Sequence, residues 1–126
     1  MRYSVYMSYL YIFCTILFTV YGQLIIKWQM TKVGPLPQVF SDKIFFLLKM
    51  FFNPWILSAF LSAFVASIFW MAAMTKFELS YAYPFVSLSF VFVLALSGLF
   101  FHEVITLPKL FGVLLIMTGI IVGAQG

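Results

Sequence analysis

Four long apolar stretches, divided by a few charged residues, constrain the fold of this chain more than any other feature. They cover residues of about 4–29, 54–75, 82–101 and 107–125. A helix needs roughly 20 mostly apolar residues to cross a bilayer, and each stretch is about that long. The stretches use nearly the whole chain, so the sequence predicts an all-α membrane protein in which residues 1–126 form one domain of four transmembrane helices.

Composition argues against several functional classes. With 65% hydrophobic and 8% charged residues, the chain leaves no room for a soluble domain. The net charge of +4 does not indicate nucleic acid, because the basic residues are scattered near span ends. There is no glycine-rich phosphate loop, and the adjacent His102 and Glu103 are too few to form a metal site. We therefore predict a protein that is not an enzyme and uses no cofactor or metal.

The first apolar stretch carries a narrow polar stripe. Thr15, Thr19, Gln23 and Lys27 follow at intervals of four residues, which places them on one side of a helix. A lysine near a helix end either reaches the lipid headgroups as an anchor or lies at the mouth of a groove and binds an anion. The absence of any acidic partner within the spans favours an external anion, a phosphate, as the partner of Lys27. The acidic residues are Asp42, Glu78 and Glu103.

Two other segments leave structural alternatives open. The segment SDKIFFLLKMFFNP between the first two spans suits a short helix in the membrane interface or an extension of the second span. Pro84, near the start of the third span, either occupies the first helical turn or loosens the start of that helix.

Small residues predict close contacts between helices. One broad side of the second span consists of Ser and Ala repeated every four residues, so another helix can approach it closely. In the fourth span, Gly112 is followed by Gly119 and Gly123, which form a G-x-x-x-G pair. Four helices enclose little volume, and we therefore expect the protein to work as a dimer with these glycines at the interface.

Three segments resemble the drug/metabolite transporter superfamily: GQLIIK, LSYAYPFVSLSFVFVL and FHEVITLPKLFGVLLIMTGIIV. Within it, the chain is most similar to the small subunits of the 4-amino-4-deoxy-L-arabinose-phosphoundecaprenol flippase. The resemblance implies translocation of an undecaprenyl-phosphate-linked sugar, an aminoarabinose, across the bacterial inner membrane for lipid A modification and polymyxin resistance. It also implies paired subunits, either a homodimer or a heterodimer with a second small four-helix protein.

The related small multidrug resistance family provides the main alternative, export of a small cation, drug or metabolite. Members of that family carry a first-helix glutamate that binds cations and protons, and matching GQLIIK to their segment places it at Thr19. The third-helix tyrosine of that family is kept as Tyr83. Drug resistance created by Thr19→Glu would discriminate this alternative from the flippase. A role as a small membrane partner of a larger complex is a third hypothesis.

The resemblance and the polar stripe together predict a substrate site in a groove between protomers. Lys27 is expected to bind the phosphate while polar side chains bond to the sugar and the polyprenyl tail stays in lipid. The predicted substrate-binding residues are Thr19, Gln23, Lys27, Tyr83, Ser87 and Ser89.

Overall fold

The computed structural model describes residues 2–125, with side chains described from Tyr6 onward. The helices are α1 Arg2–Val33, α2 Phe40–Met50, α3 Pro54–Met74, α4 Leu79–Val86, α5 Leu88–Phe100 and α6 Leu107–Gly123. Four helical segments are long and apolar enough to cross a membrane, namely Tyr6–Val33, Pro54–Met74, Leu79–Phe100 and Leu107–Ala124. For the described residues, the prediction of an all-α fold with four such segments is confirmed.

Helices α1 and α3 form the most extensive helix pair. The predicted side of small residues on α3 makes this contact, and Ala59, Ser62 and Ala66 are buried there. The Ser62 hydroxyl donates a hydrogen bond of 2.6 Å to the carbonyl oxygen of Phe18. A Cβ atom added at Gly22 would lie 3.2 Å from the Ala59 carbonyl oxygen. In lipid, where apolar burial gives little driving force, such close backbone contact is a main source of helix association.

The third span is interrupted at Ser87, which separates α4 from α5. Pro84 lies inside α4 and has no N–H group to donate to the preceding helical turn. Around the break, the Ser87 N–H bonds to the Pro84 carbonyl and the Phe90 N–H bonds to the Ser87 carbonyl, both at 3.0 Å. These bonds span three residues, as in a 3₁₀ turn. Pro84 therefore does not occupy the first helical turn. The helix is instead interrupted just after Pro84.

Helix α2 is separate from the second span. A break at residues 51–53 precedes the start of α3 at Pro54. None of the α2 residues is buried, and the large side chains of Phe40, Phe45 and Leu48 are exposed. Lys43 and Lys49 lie among them, a composition typical of a helix at the membrane interface. The structure therefore favours an interfacial helix over an extension of α3.

Asn53 fixes the start of α3 and joins it to α1. Its Oδ1 atom accepts a 2.8 Å hydrogen bond from the Trp55 N–H, which caps the helix. Its Nδ2 atom donates a 3.0 Å hydrogen bond to Oε1 of Gln29. Gln29 is only 5% exposed, and its Nε2 atom is buried without a hydrogen-bond partner among the described residues. The Asn53 side chain thus caps α3 and pairs the oxygen, but not the nitrogen, of the buried Gln29 amide.

We expect Asn53→Ala to lower the free energy of unfolding by about 2 kcal/mol, because it removes the cap and leaves both ends of the Gln29 amide unpaired. Asn53→Asp is the matched variant, since it keeps the cap acceptor and loses only the amide donor. The thermal unfolding temperature in detergent should therefore be highest for native protein, lower for Asn53→Asp and lowest for Asn53→Ala. An Ala variant as stable as native would contradict this role for Asn53.

Candidate functional site

A groove with a volume of about 490 Å³ runs along α1, α3 and α4. Most of the lining is apolar, with a few polar groups, as in many sites that bind amphipathic ligands. Its lining residues are Thr15, Thr19, Gly22, Gln23, Ile26, Ala59, Phe60, Ala63, Ala66, Ser67, Trp70, Met71, Tyr83 and Val86.

The predicted polar stripe of α1 forms one wall of the groove. Thr15 is buried at the bottom, and its hydroxyl donates to the Tyr11 carbonyl at 2.8 Å and approaches the Ala66 carbonyl at 3.5 Å. Thr19 is half-buried and Gln23 is exposed. Within the described part of the chain, neither of these two side chains makes a hydrogen bond, so both are available to a ligand. The helical spacing of four residues is what aligns them.

The opposite wall combines aromatic side chains from α3 and α4. Tyr83 is 63% exposed, and its ring meets the ring of Trp70 edge to face with the centroids 6.1 Å apart. The Ser67 hydroxyl donates to the Ala63 carbonyl at 3.1 Å, so it already has a partner within α3. The structure therefore brings Thr19, Gln23 and Tyr83 together around one groove.

Two predicted residues of the third span do not join them. Ser87 lies at the break between α4 and α5 and is not part of the groove lining. The hydroxyl of Ser89 is buried, has no hydrogen-bond partner among the described residues and is also not part of the groove lining. In this single chain, neither serine is part of the lining that contains Gln23 and Tyr83.

Lys27 lies one helical turn beyond Gln23, just past the end of the groove lining. Its Nζ atom is 3.8 Å from Oε1 of Glu103, in the turn between α5 and α6. Lys27 therefore has an acidic neighbour, which lies in a turn outside the spans. The side chains are 53% and 40% exposed, and an ion pair of this kind contributes only about 0–1 kcal/mol to stability. Both charged groups can therefore change partners at little energetic cost.

The turn that carries Glu103 is tied to the end of α5. His102 has a φ of 55°, a left-handed conformation that reverses the chain after α5. The Ser97 carbonyl accepts hydrogen bonds from the N–H of Phe101 at 2.9 Å and from that of Glu103 at 3.4 Å. The side chain of Ile105 packs onto Gly98, where an added Cβ atom would lie 2.8 Å from Cδ1. These contacts set the position of the Glu103 backbone beside the end of α1.

The three glycines predicted for a dimer interface lie on a loosely packed helix. Among the described residues of α6, Ile120 is buried and the others are partly or fully exposed. Gly119 and Gly123 are exposed, and an added Cβ atom at either of them or at Gly112 would meet no neighbouring atom within 4 Å. The described chain therefore leaves these glycines uncovered, and the dimer stays a prediction.

The residues of this site that sequence reasoning missed include Trp70 and Glu103. Trp70 follows Ala66 at the next four-residue step along α3, so extending the pattern of small residues would have placed it beside the groove. Glu103 has no such signal, because its contact with Lys27 depends on how the α5–α6 turn packs against α1. Within the described residues, no group of three or more His, Cys, Asp or Glu side chains is placed to bind a metal ion.

Comparison with curated proteins finds similarity to subunits of a lipid-linked sugar flippase. An Aeromonas hydrophila protein named "Probable 4-amino-4-deoxy-L-arabinose-phosphoundecaprenol flippase subunit ArnE" is 34% identical over 67 residues, which are 53% of this chain and 59% of the relative. A Pseudomonas savastanoi pv. phaseolicola protein named "Probable 4-amino-4-deoxy-L-arabinose-phosphoundecaprenol flippase subunit ArnF" is 39% identical over 59 residues, which are 45% of this chain and 43% of the relative. An Enterobacter protein named as a probable ArnE subunit is 39% identical over 56 residues, which are 44% of this chain and 52% of the relative.

The chain thus spans about half the length of the curated relatives it matches. These relatives are named as transporter subunits and not as enzymes, and they agree with the resemblance seen in the sequence. No protein-family model and no solved structure matches the chain.

Proposed function

We propose that this chain is a subunit of a bacterial inner-membrane flippase that translocates an undecaprenyl-phosphate-linked aminoarabinose for lipid A modification and polymyxin resistance. The observation that carries the proposal is the groove, in which Thr19, Gln23 and Tyr83 present unpaired polar groups and beyond whose end the Lys27 cation lies. The curated relatives supply the chemical class of the substrate through their names.

The groove suits a lipid whose headgroup is polar and whose tail is apolar. A phosphate-sugar headgroup cannot cross about 30 Å of hydrocarbon unaided, because its polar groups would lose their hydrogen bonds. Lys27 binds the phosphate at one end of the groove, and Gln23 and Tyr83 replace water around the sugar. The tail stays in the surrounding lipid. Lys32 is a weaker candidate for the phosphate, since its Nζ atom lies over the ring of Trp28, 3.9 Å from the centroid.

Two features of the groove disfavour the alternative of cation or drug export. The described lining residues include no carboxylate, so a cation would find no counter-charge inside. At the level where Thr19 lies, exporters of the small multidrug resistance type carry a glutamate. With no ion-coupling residue in the lining, net direction would come from consumption of the flipped lipid on the far side.

A second protomer completes the proposed path. Tyr83 and Gln23 are exposed in the single chain, so one side of the groove is open. The uncovered glycine face of α6, with Gly112, Gly119 and Gly123, supports a close contact with another copy or with a second small subunit. Pairing would let the groove be exposed alternately at the two membrane surfaces.

Lipids that copurify with the protein in mild detergent test this function. We expect mass spectrometry to find a polyprenyl-phosphate sugar enriched on native protein and reduced at least about tenfold on Lys27→Ala, because a charge-assisted bond to phosphate is lost. Lys76→Ala is the matched control, since Lys76 is an exposed lysine that follows α3 at the opposite end of the spans. Only bulk phospholipid on all three proteins would overturn the proposal.

A further inference from the structure

The Lys27–Glu103 pair places one cation and one anion side by side at the end of the groove, with Nζ and Oε1 3.8 Å apart. Among the described residues, neither charged group makes another hydrogen bond or ion pair. Both are about half exposed, so water or a ligand can reach them. The pair is therefore open to exchange of partners, unlike a buried ion pair, whose separation would leave a charge without a counter-ion.

The backbones of the two residues are held in place by the elements that carry them. Glu103 lies in a turn whose backbone is bonded to the Ser97 carbonyl and whose Ile105 side chain packs on Gly98. Lys27 has a long, flexible side chain on the last turns of α1. When a ligand enters, the ammonium and carboxylate groups can thus move apart while both backbones keep their places.

We propose that Glu103 is a specificity-determining residue that binds the ammonium group of the substrate headgroup while Lys27 binds its phosphate. This inference rests on the proposed function. The relatives are named for a 4-amino sugar linked to a polyprenyl phosphate. Its amino group is protonated at neutral pH. The headgroup therefore carries one positive and one negative charge, the complement of the pair found at the end of the groove.

The order of the charges along the lipid fits this position. The phosphate joins the tail and is closest to the hydrocarbon, whereas the 4-amino group lies at the far end of the sugar. Lys27 is on a spanning helix, and Glu103 is in the turn beyond a helix end. A headgroup held at the mouth before it enters the groove would thus meet Lys27 with its phosphate and Glu103 with its amine.

Exchange of partners also gives a reason for selectivity. A zwitterionic headgroup that separates the pair provides each side chain with a new counter-charge. A polyprenyl phosphate with a neutral sugar would take Lys27 and leave the Glu103 carboxylate unpaired beside a bound anion, where like charges repel. Glu103 therefore favours the amino sugar by disfavouring its uncharged analogues.

Binding of two synthetic lipids to the purified chain, measured by native mass spectrometry, tests this role. One probe is undecaprenyl phosphate carrying 4-amino-4-deoxy-L-arabinose, and the other is its N-acetyl derivative, which lacks the positive charge. We expect native protein to prefer the amino lipid by about tenfold, as for a charge-assisted hydrogen bond. Glu103→Gln should bind both lipids about equally, and Glu103→Asp should retain a preference.

Glu78→Gln is the matched control, because Glu78 is an exposed carboxylate at the other end of the third span and makes no side-chain cap bond. If Glu103→Gln binds the amino lipid with the native preference, this inference is wrong and the flippase proposal stands. Equal binding of the two lipids by native protein would also contradict this inference and leave the flippase proposal standing. If native protein binds neither lipid, the proposed function fails as well.

Discussion

Gly22→Leu is expected to abolish most of the folded protein. A Cβ atom at Gly22 alone would lie 3.2 Å from the Ala59 carbonyl oxygen, which belongs to a backbone and cannot rotate away. The rest of a leucine side chain has no space between α1 and α3, so the helices must separate. Separation would break the 2.6 Å bond from Ser62 to Phe18 and remove the floor of the groove. Overpacking of this kind costs about 3 kcal/mol or more.

The measurement is the yield of monodisperse protein and its thermal unfolding temperature in detergent. Gly119→Leu is the matched control, because it makes the same substitution in a spanning helix where an added Cβ atom meets nothing within 4 Å. It should leave the stability of the single chain near native. If Gly22→Leu and Gly119→Leu are equally stable, the close packing of α1 on α3 does not hold the fold together.

Lys27→Glu is expected to lower binding of the polyprenyl-phosphate sugar by at least about a hundredfold. The variant removes the counter-charge of the phosphate and adds a carboxylate that repels it. Together, these two changes cost about 3 kcal/mol of binding free energy. It also places two carboxylates next to each other, since Oε1 of Glu103 lies 3.8 Å from Nζ of Lys27 in the native protein. Cells that depend on this chain should lose resistance to polymyxin.

Lys76→Glu makes the same reversal of charge at the opposite end of the spans, and it controls for net charge and membrane insertion. It should bind lipid and protect cells as native protein does, at the same membrane level. Equal binding by native protein and Lys27→Glu would mean that the lysine is only a headgroup anchor.

Much of the fold could be predicted because it follows from local properties of the sequence. Apolar length alone defines the helices that can cross a membrane. The small residues on one side of α3 predict its close contact with α1, since an alanine or serine every four residues permits approach of the backbones. The break in the third span was only half predictable. Pro84 indicates a weakened helix, but it does not indicate at which later residue the helix is interrupted, and the structure places that break at Ser87.

The candidate site divides in the same way. Thr19 and Gln23 were predictable, because their spacing on α1 does not depend on any other helix. Tyr83 came from the family resemblance. Trp70 and Glu103 become neighbours of this site only through tertiary packing, and the second and third spans separate Glu103 from Lys27 in the sequence. Ser87 and Ser89 lie at and just after the break in the third span, outside the groove lining.

Translocation in reconstituted vesicles tests the central claim most directly. Native protein, Lys27→Ala and Lys76→Ala would be incorporated at equal amounts into vesicles whose inner leaflet contains the aminoarabinose lipid. Appearance of its amino group at the outer surface would then be followed with a membrane-impermeant amine reagent. We expect native protein and Lys76→Ala to move the lipid and Lys27→Ala to fall to the rate of empty vesicles. Equal rates for native protein and Lys27→Ala would contradict the claim that Lys27 holds the phosphate during transport.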